Sequence, residues 1–172
     1  MHRKTPLRIA AALVLCLMSG PLAAQDPVVN FAPEDADMAA AIEEARSNLD
    51  FVLARLATED GGLHPALNLK ARLPVNHFDV DDEVIWVENL ALAEDGTFTG
   101  QLANDPAYLP GLTLGDSVSF GRDQIADWSV LSTDGRMYGH YTTRVMLPHL
   151  SRAEAEQVGD LLSPDPIPEA WR

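Results

Sequence analysis

Glu88 and Asp127 could form a carboxylate pair for acid–base chemistry, one carboxyl donating a proton while the other activates water. Trp86 stands two residues before Glu88, so on a strand the two share a face. An aromatic wall beside a carboxylate suits a small ligand or a peptide. Nucleophilic catalysis finds less support. There is no Gly-x-Ser-x-Gly elbow, and Ser119 lacks the preceding glycine. His64, His77, His140 and His149 show no pair at helical ligand spacing and no His-Glu-x-x-His, so no metal site is expected from them. Asp79, Asp81, Asp82 and Glu83 are acidic enough for calcium. A calcium loop starting at Asp79 would need Gly at its sixth position and Glu at its twelfth, where Val84 and Leu90 stand. The segment reads as a solvated loop. Phosphate-loop and dinucleotide patterns are absent, and no cofactor is expected.

The first residues read as an export signal. His2, Arg3, Lys4 and Arg8 give a basic start, and Ile9 to Met18 is an unbroken apolar run. Ser19-Gly20-Pro21 breaks it, and Leu22-Ala23-Ala24 supplies small residues for cleavage, after Ala24 or one residue earlier. The run is too short to span a bilayer, which takes about 20 apolar residues. Leu15 is bulky where a lipidation signal on Cys16 wants a small residue. The mature chain is therefore expected in the periplasm or secreted, with no membrane insertion. Cleavage removes Arg3, Lys4 and Arg8 and leaves nine basic residues against 26 acidic ones, a net charge near −17. Such a surface repels nucleic acid and anionic lipid and favours solubility. The single cysteine, Cys16, leaves with the signal, so thiol nucleophiles, disulfides and cysteine metal sites leave with it.

The elements that must carry these residues follow from periodicity. Residues 25–35 form an extended leader, with Asp35 as a helix cap. Met38, Ile42, Ala45, Leu49, Val52 and Leu56 recur at spacings of four and three, which predicts an amphipathic helix ending near Thr58. Ala66 to Leu73 alternates, with Asn68, Lys70 and Arg72 on its polar face. Strands are also expected over 84–92, 97–102, 117–120 and 137–145, with 125–131 either a helical turn or a strand. Ser151 and Glu154 make a capping box for a short C-terminal helix, followed by a Pro-rich extended tail. The fold class is α+β: an N-terminal amphipathic helix packed on a curved antiparallel sheet of about five strands.

Several segments carry a resemblance. Met38-Ala39-Ala40-Ala41-Ile42, Trp86-Val87-Glu88, Gly96-Thr97-Phe98-Thr99-Gly100, Leu102-Ala103-Asn104-Asp105-Pro106, Leu114-Gly115-Asp116-Ser117-Val118 and Ile125-Ala126-Asp127-Trp128 follow in that order. The ordered set resembles the YegJ-like family, domain of unknown function 2314 (DUF2314). It implies a domain over 36–148, with 149–172 as an appended helix and tail, and no established activity. Gly96, Gly100 and Gly115 are expected to serve turns or a bulge. Among these positions Trp86, Glu88, Asn104, Asp105, Asp127 and Trp128 form the candidate binding surface. The expected function is a non-enzymatic binding or accessory module for a protein or peptide partner. The alternatives are a hydrolase using Glu88 and Asp127, a toxin-protection protein, or a structural domain whose tail docks Trp171 on a partner.

Overall fold

Asp35 starts the first helix. Its carboxylate accepts the amide protons of Asp37 and Met38 at 3.0 and 3.1 Å, satisfying donors that a helix start leaves bare. The computed structural model describes residues 35–78 and 80–172. The signal segment, the leader before Asp35, and Asp79 of the charged loop lie outside the described residues. Helix α1 (Ala36–Ser47) and helix α2 (Leu49–Arg55) divide at Asn48, whose side-chain amide donates to the Glu44 carbonyl at 2.9 Å. That local bond competes with the helical ladder and breaks what periodicity alone reads as one helix. Of the expected stripe, Ala45, Leu49 and Val52 are buried and Leu56 packs partly against the core; at the start of α1 Ala41 is buried, and Met38 and Ile42 are only half-buried.

Among the described residues six antiparallel strands form the sheet, one more than expected. They are β1 (Leu67–Pro74), β2 (Asp82–Leu92), β3 (Phe98–Leu102), β4 (Ser117–Phe120), β5 (Ile125–Leu131) and β6 (Met137–Gly139), in the spatial order β4-β3-β2-β1-β5-β6. Leu67, Leu69, Ala71 and Leu73 of β1 join Ile85, Val87, Leu102 and Trp128 on the face that buries the α1–α2 stripe. Two bulges adjust that face. In β5 the register shifts at Ala126, so Ile125 and Trp128, three apart, both reach the core. In β2 it shifts between Glu88 and Ala91, with Asn89 in the left-handed region at φ 52°, and Val87 and Leu90 both point inward. Gly100 lies opposite this second bulge. A methyl group there would meet the Glu88 carbonyl and the Val87 side chain, so only glycine fits.

The stretch 137–145 is not one strand. Gly139 (φ 74°) and His140 (φ 54°) turn the chain left-handed, and helix α3 (Tyr141–Met146) follows. Helix α4 (Arg152–Leu161) begins at the expected Ser151–Glu154 capping box. The tail then crosses the outer edge of β6: Ser163 donates to the Met137 carbonyl at 2.9 Å, and Gly139 to the Pro166 carbonyl at 2.8 Å. A single 3₁₀ turn, Glu169–Trp171, brings Trp171 edge-on to Phe51 of α2, and Arg55 donates to its carbonyl. Trp171 thus packs within its own chain.

Candidate functional site

Trp86, Lys70 and Asp127 form one row across β2, β1 and β5, on the face opposite the main core. Lys70 belongs to the polar alternation of β1, yet it is buried, 7% exposed. Its Nζ lies 5.1 Å from the centre of the Trp86 ring, a cation–π contact that helps hold a charge out of water. The Trp86 ring also meets the His140 ring, centroids 4.8 Å apart.

Asp127 is fully buried and its carboxylate is saturated. One oxygen accepts from the amides of Trp128 and Tyr141, the other from the amide and hydroxyl of Thr142, at 2.7 to 3.2 Å. Burial pushes this carboxyl above the usual carboxylate range, against the pull of the Thr142 and Trp128 hydrogen bonds and the Lys70 charge. Its role is legible in the donors: it receives the first amides of α3 and so fixes the sharp exit from β6. His140 sits at that corner. Its Nδ1 lies 3.1 Å from the Thr143 hydroxyl, while Nε2 is buried with no hydrogen-bond partner. Burial, then the charges of Lys70 and Arg144, push its pKa down to about 3.

The six candidate residues divide into two groups. Trp86, Asp127 and Trp128 are interior. Trp128 points to the opposite face from Asp127, where its indole N–H donates to the Ala45 carbonyl at 3.0 Å and ties β5 to α1. Glu88, Asn104 and Asp105 lie at the outside. Glu88 is half-buried, paired in register with Gln101. Asn104 and Asp105 open the β3–β4 connection, where Asp105 accepts the Leu114 amide at 2.8 Å. Glu83 holds the same connection from the side, accepting the Ala107 and Tyr108 amides at 2.6 and 2.7 Å. The structure therefore joins Trp86 and Asp127 through Lys70, a residue that simple alternation assigns to solvent.

Glu88 and Asp127 do not meet. With β1 between their strands and a two-residue offset, two strand spacings and two rises separate their backbones by roughly 12 Å. Asp127 lies inside the fold and has no oxygen free for a substrate. Among the described residues no group of three or more His, Asp or Glu side chains could hold a metal ion. No described helix is long and apolar enough to cross a membrane. A shallow groove of about 700 Å³ lies between the end of α2, β5 and the tail, lined by Leu56, Val130, Leu131, Tyr138 and Trp171 among others. None of the six candidates lines it.

What remains outward on the candidate side is a polar sheet face. Thr99 and Gln101 of β3 and Ser117 and Ser119 of β4 are exposed beside Glu88. Comparison with known proteins finds no curated protein and no solved structure that matches. A family described as "Uncharacterized protein conserved in bacteria" matches residues 35–161, a stretch that runs from the cap of α1 through α4. The chain belongs to that family, DUF2314.

Proposed function

We propose that this chain is an exported, non-enzymatic binding module whose partner is a protein or peptide outside the cytoplasm. The observation that carries the reading is the division of the candidate residues. The groups best suited to chemistry are engaged inside the fold, Asp127 with four donors, while β3 and β4 expose hydroxyls and an amide beside half-buried Glu88. Exposed polar sheet surfaces suit macromolecular partners better than small molecules, which prefer enclosed apolar clefts. The basic start and apolar run before Ala24 support the compartment.

A photo-crosslinking residue at Gln101 or Ser117, introduced in the producing cell, tests this reading. A discrete adduct from both positions, absent when the probe sits at Glu156 on α4, is the expected result. An unmodified chain at all three positions overturns it, as does a hydrolytic activity abolished by Glu88→Gln. Amino-terminal sequencing of the extracytoplasmic protein should begin at Gln25 or Ala24; a chain retained in the cytoplasm with Met1 intact refutes export.

A further inference from the structure

The two edges of the sheet differ in how they are finished. The tail bonds along β6 through Met137 and Gly139. Strand β4 ends the sheet on the other side, and none of the described residues bonds its outer margin. Register shows which groups face out. Leu102 donates to the Asp116 carbonyl, so the bonded pairs that follow are Gly100 with Val118 and Phe98 with Phe120. Ser117 and Ser119, at the alternate positions, aim their N–H and C=O groups away from β3. The usual guards of an edge are missing: Ser117–Phe120 contains no proline, no lysine and no bulge.

Charge identifies what this edge would take. From Leu73 to Gly121, the stretch that builds β2, β3, β4 and their connections, there are nine Asp and Glu and no Lys or Arg. Among the described carboxylates here only Asp82 pairs with a cation, Arg72 at 2.6 Å. Glu83, Asp95, Asp105 and Asp116 accept backbone amides, which ties the loops down and leaves each charge in place.

We propose that the β4 edge binds an extended cationic peptide segment of a partner, added as a further strand beside Ser117 and Ser119. This rests on the binding-module reading and specifies its partner. Main-chain bonds from two serines give the register, and the net negative charge of this half of the sheet attracts the positive segment and favours it over others. Edge-to-edge pairing of two copies is disfavoured, because it would bring two acidic halves together.

The test uses the mature protein and a fluorescein-labelled peptide of alternating lysine and threonine, with an alternating glutamate–threonine peptide beside it. Saturable binding of the lysine peptide alone is expected, weakening as salt rises, with amide NMR shifts centred on 115–121. Ser119→Pro removes an outward N–H without touching the ladder to β3, so its thermal unfolding should stay unchanged while affinity falls about ten-fold or more. If that variant unfolds, the double variant Ser117→Lys, Ser119→Lys tests the same edge by charge, with the same loss expected. Equal binding of the glutamate peptide, shifts away from β4, or undiminished affinity in a folded edge variant overturns the proposal. A cross-linked partner at Gln101 together with no lysine-peptide binding would overturn this inference and leave the binding module standing.

Discussion

The β6 side of this sheet ties its loose segments down with arginines as well as carboxylates, and the β4 side with carboxylates. On the β6 side Asp127 and Asp134 accept amides, and arginines donate to carbonyls besides. Arg136 donates to the Asp160 and Leu162 carbonyls, Arg144 to Gly139 and Ser163, Arg55 to Trp171, and Arg46 to Asp123 and Ile125. On the β4 side carboxylates accept loop amides. Both devices satisfy backbone groups that irregular segments leave bare. Their electrostatic consequences differ. Arginine on a carbonyl puts positive charge over a sealed edge, and carboxylate on an amide leaves an open edge negative. The net charge is therefore uneven because Leu73 to Gly121 lacks Lys and Arg, and four of its nine carboxylates hold loop amides.

Substitutions in each half should have unequal effects, the largest in the closed half. Trp128→Ala removes the ring that fills the core and the N–H that reaches Ala45. Urea unfolding should show a loss of about 3–5 kcal/mol; a loss under about 1 kcal/mol would mean that α1 is not anchored through β5.

Acid should act on the same half. His140 takes a proton near pH 6.5 when unfolded and only at about 3 when folded. Its contribution is thus intact above pH 6.5 and declines as pH falls from there toward 3. By pH 5 the decline is roughly 2 kcal/mol, at about 1.4 kcal/mol per pH unit. Asp127 acts the other way, since a carboxyl raised by burial becomes less costly to bury as it gains a proton. His140→Asn keeps the left-handed backbone accessible and should flatten the fall between pH 7 and 5. An identical fall in both proteins would place the acid sensitivity elsewhere.

In the open half, Gly100→Ala drives a methyl into the Glu88 carbonyl and should cost about 1–2 kcal/mol by thermal melting. A neutral outcome would show that the β2 bulge yields, and that the edge it supports is softer than its partner.

These substitutions fall where local pattern and fold part company. The α1 stripe, the β1 alternation, the Asp35 cap and the Ser151–Glu154 box are legible in sequence because each depends on residues within a turn or two. The bulges are not. Ile125 and Trp128 are three apart, a helical spacing, and only pairing with β1 turns both inward. Tyr141-Thr142-Thr143 carries strand propensity, yet Asp127, fourteen and more residues earlier, accepts the amides of Tyr141 and Thr142 and starts a helix there. Site legibility failed for the same reason. Asp127 looks like a reactive carboxylate until its four donors are known, and Lys70 looks solvated until His140 and Trp86 close over it. Glu88 and Asn104 are half-buried and Asp105 is exposed, all outside the main core.

The sealing of β6 also sets an order of events. Every strand precedes the segment that covers the sheet's last edge: Ser163, Pro166 and Trp171 reach back to Met137, Gly139 and Phe51. A chain emerging in sequence holds all six strands while both edges are still bare, and it closes one only when these late residues arrive. During that interval the nascent protein is open to pairing on both sides, so a holding factor that shields β6 would matter for its yield more than one acting on the finished fold.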